Sequence, residues 1–83
     1  MLENLPNRLR ALLAHHSGAP ESILSGGSTP ENTPGWDSVA NLALMAAIEE
    51  EFGVTITTRD VVRMKSLGDI ERYLASHGRK ESP

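Results

Sequence analysis

Hydrophobic positions along this chain recur mainly at helical spacing, and the alternation that is typical of strands is short and rare. Near the N-terminus, leucines step by three and four residues and so form one stripe along a first helix: Leu2, Leu5, Leu9, Leu12 and Leu13. Proline fits only in the first turn of a helix, so Pro6 places the beginning near Asn4. Ser17-Gly18 supplies the end of this helix.

The longest irregular stretch covers residues 18–36 and is rich in Gly, Pro, Ser and Asn, which favour turns. We expect Ile23 and Leu24 to anchor this stretch to the core, because they are its branched apolar side chains. A connection of this length in a small domain is uncommon, and it is typical of functional or mobile segments.

A second helix is predicted to begin at Asp37-Ser38, where the aspartate can accept hydrogen bonds from unpaired backbone N–H groups, and to end at Gly53. Its apolar residues cover more than one stripe. Either this helix is central in the fold, or part of its apolar face is left for a partner.

Two further helices are predicted after a brief extended segment at residues 54–56. Thr57 or Thr58 caps a short helix that ends near Met64, and Ser66 with Asp69 marks the beginning of a last helix over residues 67 to about 76. The pattern therefore predicts an all-α fold, a small bundle of three main helices plus one short helix, with a long loop between helices one and two.

The length of 83 residues predicts a single domain over residues 1–83, with a core at about 5–77 and a flexible tail at 78–83. The positions that face inward on the predicted helices form the expected core: Leu9, Leu12, Leu13, Ile23, Leu44, Ile48, Phe52, Ile56, Ile70, Tyr73 and Leu74.

Composition and charge exclude several classes of protein. Without cysteine the chain is not a disulfide-stapled scaffold, a thiolate metal site or a thiol nucleophile. A net charge of −3 and only three aromatic residues argue against nucleic-acid binding. No segment approaches 18 uninterrupted apolar residues, and the N-terminus lacks signal-peptide features, so we expect a cytoplasmic protein with no membrane partner.

Candidates for catalysis are poor. His15, His16 and His77 lie at predicted helix ends, where a histidine interacts favourably with the helix dipole when protonated. Adjacent helical residues diverge by about 100°, so His15 and His16 do not readily share a metal. The acidic run Glu49-Glu50-Glu51 is typical of a solvated helix end, since no predicted apolar pocket would raise one pKa. We therefore predict a protein that is not an enzyme and has neither catalytic residues nor a metal site.

The remaining feature is the segment Gly35-Trp36-Asp37-Ser38-Val39. It places a hydroxyl at the start of a helix, where free N–H groups and the macrodipole offset the charge of a phosphate. Ordinary helix capping also explains Asp and Ser at this place. Taken alone, the segment favours ordinary capping, because Asp-Ser pairs are frequent at helix starts.

The wider pattern decides between them. The segments Asp37-Ser38-Val39, residues 48–56 (IEEEFGVTI) and Leu67-Gly68-Asp69 occur in an order that resembles the acyl carrier protein family over about residues 5–77. In that family the serine of a D-S-L motif carries 4′-phosphopantetheine as a phosphodiester. That serine matches Ser38, the preceding aspartate matches Asp37, and Val39 replaces the usual leucine.

The resemblance implies two kinds of partner enzyme, one that attaches the arm and others that load and transfer acyl groups. A phosphopantetheinyl transferase would load Ser38 from coenzyme A, and synthase enzymes would load and transfer acyl groups held on the arm as thioesters. Typical fatty-acid carriers present acids on the second and third helices, where this chain has Ala40, Ala43, Arg59 and Val62. These departures lead us to expect a specialised lipid or secondary-metabolite pathway, in the fatty-acid or polyketide class, with a dedicated partner.

We expect partner enzymes to dock on the start and outer face of the second helix and on the next helix: Val39, Leu42, Ala43, Ala46, Glu50, Arg59 and Val62. The chain extends only a few residues beyond the predicted helices, which leads us to expect a discrete protein and leaves open a domain excised from a larger synthase. We also expect a monomer. Two alternatives remain open: an aminoacyl, D-alanyl or peptidyl carrier with the same attachment site, and an unmodified helical interaction module. The hydroxyl that follows Asp37 favours a carrier, because a pure binding module needs none there.

Overall fold

The computed structural model describes residues 5–77, and over this range it contains helices and no strand. The helices are α1 (Leu5–Ser17), a 3₁₀ turn (Glu21–Ile23), α2 (Ser38–Phe52), α3 (Thr58–Arg63) and α4 (Leu67–His77). The predicted all-α fold, with three main helices, one short helix and a long first loop, is confirmed. The expected start near Asn4 and the expected tail at 78–83 lie outside the described residues.

The core lies between α1, α2 and α4, since α1 packs against both of the other long helices. Six side chains are fully buried there, and the helical pattern predicted all six: Leu9, Leu13, Leu44, Ile48, Ile70 and Leu74. Phe52 is also buried, and the Arg8 guanidinium lies 4.5 Å from the centre of its ring. Arg8 pairs in turn with Glu51 at 2.6 Å, so this cation covers the end of the core.

The prediction for Ile23 was wrong. This side chain is 53% exposed, whereas the next residue, Leu24, is buried in the core. The 3₁₀ turn ends at Ile23, and Leu24 then adopts an extended backbone that sends its side chain to the core. Leu12, Ile56 and Tyr73 are only partly buried at the rim.

The long loop caps the beginning of α4. The carbonyl oxygens of Ser28 and Gly26 accept hydrogen bonds from the backbone N–H groups of Leu67 and Gly68, each at 2.9 Å. These N–H groups belong to the first turn of a helix, where they have no partner within the helix. The loop is therefore tied at its middle to the far side of the bundle.

The predicted caps of α3 and α4 are confirmed. Thr57 caps α3, and its hydroxyl and the Asp60 carboxylate exchange hydrogen bonds with each other's backbone at 3.1 and 3.2 Å. At α4 the Ser66 hydroxyl accepts from the Asp69 backbone N–H. A hydrogen bond from the Lys65 backbone N–H to the Asp69 carboxylate lowers the pKa of that carboxyl below 3.8.

Tyr73 links α3 to α4, because its hydroxyl lies 3.1 Å from the Thr55 carbonyl oxygen and 3.1 Å from Asp60 Oδ2. Burial, followed by the nearby Asp60 carboxylate, raises the pKa of this hydroxyl above 10.0. A raised folded-state pKa means that the stabilisation is fully present below the unfolded value and is lost as the pH rises through the folded value.

Tyr73→Phe is expected to lower the free energy of unfolding by about 1 kcal/mol near neutral pH, because it removes one shared hydrogen-bond donor. The difference between the two proteins should shrink above about pH 10, because the hydroxyl of the unfolded wild-type chain then loses its proton, and it should be lost as the pH rises through the higher folded-state pKa. Urea unfolding of both proteins at about pH 7 and about pH 11 measures this, and a difference that stays constant with pH would contradict the proposed linkage.

Candidate functional site

Ser38 is the first residue of α2, and Asp37 fixes that beginning. Asp37 has an extended backbone, its Oδ1 accepts a hydrogen bond from the Ala40 N–H at 2.9 Å, and its carbonyl accepts from the Asn41 N–H at 2.8 Å. Ser38 is exposed, and its side chain has no hydrogen-bond partner among residues 5–77. The hydroxyl is therefore presented to solvent by a capped helix terminus.

Gly35 and Trp36, which precede the Asp37 cap, hold this terminus against the rest of the fold. Gly35 has a φ of +81°, and a Cβ at this position would lie only 1.9 Å from the Ser17 carbonyl oxygen at the end of α1. Trp36 is 3% exposed and packs in the core, and its indole Nε1 donates to Asn41 Oδ1 at 2.9 Å. The buried indole ring of Trp36 thus fixes the start of α2 against the core.

The pattern of apolar positions missed Trp36 and Asn41 as parts of the site. A signal was present, because an apolar residue just before an N-cap often packs on the residue five positions later. Here the two residues at those places are Trp36 and Asn41, and an indole–amide hydrogen bond takes the place of the apolar contact.

The terminus suits a phosphoester. Positive charge accumulates at the start of a helix, where a nearby anion gains roughly 0.3–1 kcal/mol. The first turn of α2 contains no acidic residue, and the Asp37 carboxylate is engaged in its cap bond. A shallow hollow beside Ser38, which we name the Ser38 hollow, is lined by Pro30, Trp36, Asp37 and Asn41 in addition to Ser38 itself. The residues present therefore fit a phosphate-linked group attached at Ser38.

The residues predicted to face a partner lie at the surface. Val39, Leu42 and Val62 are 76%, 70% and 64% exposed, the largest fractions among the large hydrophobic side chains of residues 5–77. On α2 the spacing of the predicted positions puts them on one side of the helix. Ala43 is half-buried, and the other predicted positions are exposed: Ala46, Glu50 and Arg59.

One inference from the sequence needs correction. Ala40 was considered with Ala43 as a surface position where related carriers have an acid, but Ala40 lies on the buried side of α2. Its methyl group packs in the core, so a carboxylate there would be forced out of water. Of the two alanines, only Ala43 reaches the surface.

Helix α3 and the segment that follows it add cations that the sequence analysis did not single out. Arg63 and Lys65 are exposed, like Arg59, and no carboxylate among residues 5–77 forms an ion pair with any of the three. Arg59, Val62 and Arg63 are three and four residues apart and share one side of α3. This side is basic and apolar, although the whole chain carries a net charge of −3.

A second hollow, the α3 hollow, joins this helix to α2. It is lined by Asn41 and Pro30, which also line the Ser38 hollow, and by residues of the loop and of α3: Thr29, Glu31, Val61, Val62, Met64 and Lys65. The two hollows therefore adjoin each other at Asn41 and Pro30, with Ser38 at the edge of one and the side chains of α3 at the edge of the other.

The histidines of α1 and the acidic run of α2, which the sequence analysis also considered, make contacts within the fold. His15 and His16 lie in the last turn of α1 with their rings nearly perpendicular. Glu49 accepts a hydrogen bond from the Ile56 backbone N–H at 2.7 Å, and Glu51 pairs with Arg8. Among the described residues no cluster of three metal-ligating side chains occurs, and no helix is long and apolar enough to cross a membrane.

Comparison with known proteins agrees with this geometry. Residues 7–74 match the family described as "Phosphopantetheine attachment site". The chain is also similar to the acyl carrier protein of Rickettsia bellii (strain RML369-C), with 25% identity over 76 residues that cover 92% of this chain and 88% of that relative. The family match extends from α1 into α4 and includes Ser38 and the whole of α3.

Proposed function

We propose that Ser38 of this chain, which belongs to the acyl carrier protein family, carries 4′-phosphopantetheine and with it acyl groups held as thioesters. Members of this family are carriers, not enzymes, and their prosthetic group is covalently attached. The observation that supports Ser38 is its exposed hydroxyl at the capped start of α2, next to the Ser38 hollow.

The chain's own residues would hold the attached phosphate. The Ser38 oxygen would bond to phosphorus and release its proton, while the bond to the adenosine nucleotide of coenzyme A breaks in the transferase. Asp37 keeps Ser38 at the first helical position, and the helix terminus offsets the phosphate charge. When bound, the group supplies a terminal thiol, and in a chain without cysteine that thiol has no competitor.

Incubation with coenzyme A, Mg²⁺ and a phosphopantetheinyl transferase of broad specificity tests this proposal. The intact mass should increase by one phosphopantetheine. Incubation with an acyl-coenzyme A instead should add the acylated arm, and hydroxylamine should then release the acyl group from its thioester. An unchanged mass under conditions that modify a known carrier would contradict the proposal.

We further propose a specialised lipid or secondary-metabolite pathway in the cytoplasm, with the monomer docking on a dedicated partner. Support comes from the exposed apolar side chains Val39 and Leu42, which follow Ser38 on α2, and from Val62 on α3. The cations Arg59 and Arg63 give α3 the opposite sign to the acidic docking helices of typical fatty-acid carriers. Charged rims mainly determine the rate of association and the choice of partner.

Leu42→Asp is expected to reduce the cognate enzyme's kcat/KM for the loaded carrier by on the order of tenfold, equivalent to about 1.4 kcal/mol. The side chain is 70% exposed, so the fold should remain intact. Glu50→Gln is the matched control on the same side of α2, and it should chiefly change the salt dependence. Equal kinetics for Leu42→Asp and wild type would exclude this face from docking.

Charge variants separate the specialised pathway from carrier function itself. Acyl loading by housekeeping fatty-acid synthase enzymes should be poor with the wild type and should improve in Ala43→Glu and Arg59→Glu, because both add negative charge to exposed or half-exposed positions. Ready acceptance of the wild type would overturn the specialised pathway and leave the carrier proposal intact.

A further inference from the structure

The side-chain amide of Asn41 has a fixed orientation. The Trp36 indole nitrogen is a hydrogen-bond donor only, so the Asn41 atom that lies 2.9 Å from it must be the oxygen. The Nδ2 group then lies on the other side of the amide, and it has no acceptor among the described residues. A buried ring therefore holds two N–H donors in place without using them.

These donors belong to a residue that borders both the Ser38 hollow and the α3 hollow. Asn41 is three residues after Ser38 in α2, so the two side chains are neighbours on one side of the helix, with Cβ atoms about 5–6 Å apart. Asn41 lines both the Ser38 hollow and the α3 hollow, and Pro30 forms an apolar wall shared by the two. A flexible chain that leaves Ser38 and runs along these two hollows toward α3 would pass both residues.

The chemistry of 4′-phosphopantetheine matches this sequence of surfaces. After the phosphate comes an apolar carbon with two methyl groups, then a hydroxyl, and then the first of two amides. The methyl groups suit the ring of Pro30, and the carbonyl oxygen of an amide suits an N–H donor. A donor already fixed before binding loses little entropy when it binds, which favours one arrangement of the arm.

We propose that Asn41 is a positioning residue for the arm, in which Nδ2 donates a hydrogen bond to the carbonyl oxygen of the first amide while Pro30 packs against the methyl groups. This inference rests on the proposed attachment at Ser38. Asn41 directs the arm toward α3 while the carrier is not docked, and Trp36 acts by orienting Asn41.

Nuclear magnetic resonance of the loaded protein tests this proposal, and the sequence makes the spectrum simple. Trp36 is the only tryptophan, and in the absence of glutamine the side-chain amides come from four residues: Asn4, Asn7, Asn32 and Asn41. On conversion to the phosphopantetheinylated form, the Asn41 amide resonances should shift and show through-space contacts to the arm. The Asn32 amide is the internal control, because it donates to the Gly27 carbonyl within the loop.

Two substitutions separate the donor from the support of the fold. Asn41→Asp retains an oxygen for the Trp36 indole but has no N–H group, and Asn41→Leu has neither. With an arm labelled with ¹⁵N at its amides, the order parameter of the first amide should fall below about 0.6 in both variants. The Trp36 indole resonance should change strongly only in Asn41→Leu. A nearly unchanged resonance in Asn41→Asp would show that this variant keeps the fold. Asn41→Leu, which is uncharged, controls for the carboxylate that Asn41→Asp adds.

Unchanged Asn41 resonances on loading, or equal order of the arm in the wild type and both variants, would overturn the role of Asn41. Intact mass, measured before each spectrum, keeps this failure distinct from failure of the proposed function. A protein that gains no arm refutes the attachment at Ser38, whereas a loaded protein with an unaffected Asn41 refutes only the positioning role.

Discussion

Ser38→Ala is expected to abolish attachment of 4′-phosphopantetheine completely, because it removes the oxygen that bonds to phosphorus. No other serine among residues 5–77 is the first residue of a helix. The substitution should not disturb the fold, since Ser38 is exposed and its side chain has no hydrogen-bond partner among residues 5–77. Intact mass after incubation with coenzyme A and a broad transferase should therefore match the unmodified protein. The circular dichroism spectrum should remain that of the wild type.

Ser66→Ala provides a matched control within the same chain. Ser66 is also next to a helix N-terminus, but its hydroxyl is half-buried and accepts a hydrogen bond from the Asp69 N–H at 3.1 Å. Loss of this cap should lower the free energy of unfolding by about 1 kcal/mol and leave the extent of modification unchanged. Residual modification of Ser38→Ala, or its loss in a folded Ser66→Ala, would place the arm elsewhere than on Ser38.

Some features of the fold and of the site could be predicted from the sequence, and the position of Ser38 needed more than local patterns. Helix ends were predictable because capping is local, and Asp37, Thr57 and Gly53 occupy the places that their side chains or backbone freedom favour. The six fully buried side chains were predictable because they repeat at helical spacing in strongly apolar surroundings. Ser38 stood out only through the surrounding family pattern, since Asp-Ser at a helix start is ordinary capping chemistry.

Features that depend on contacts between distant segments were not predictable. Ile23 and Leu24 are equally apolar neighbours, and only the direction of the 3₁₀ turn decides that Leu24 is the buried one. Trp36 lies in a polar loop without periodicity, so the pattern of apolar positions does not mark it as core, and its place just before the Asp37 cap is the one local signal. The unused donor of Asn41 follows from its bond to that ring, and the close approach of Gly35 to Ser17 follows from how the loop crosses the end of α1.

This close approach makes Gly35→Ala the substitution with the largest expected effect on stability. The added Cβ would lie 1.9 Å from the Ser17 carbonyl oxygen, a backbone atom that cannot move aside as a side chain would. The left-handed backbone costs an alanine roughly 1–2 kcal/mol, and the forced displacement adds about 1–3 kcal/mol. The free energy of unfolding should fall by about 2–5 kcal/mol, a large part of the total for a domain of this size.

Gly18→Ala is the control that separates the cost of a left-handed backbone from the cost of the contact with Ser17. Gly18 has a φ of +83° against +81° for Gly35, but no atom lies within 4 Å of a Cβ placed there. Urea unfolding should therefore show a loss of only about 1–2 kcal/mol for Gly18→Ala, and the excess in Gly35→Ala measures the contact with Ser17. Because the loop must shift to relieve that contact, Trp36 and Asp37 should move with it and the folded fraction of Gly35→Ala should be modified more slowly at Ser38. Equal losses in the two variants, with equal rates of modification, would mean that the approach to Ser17 does not position the start of α2.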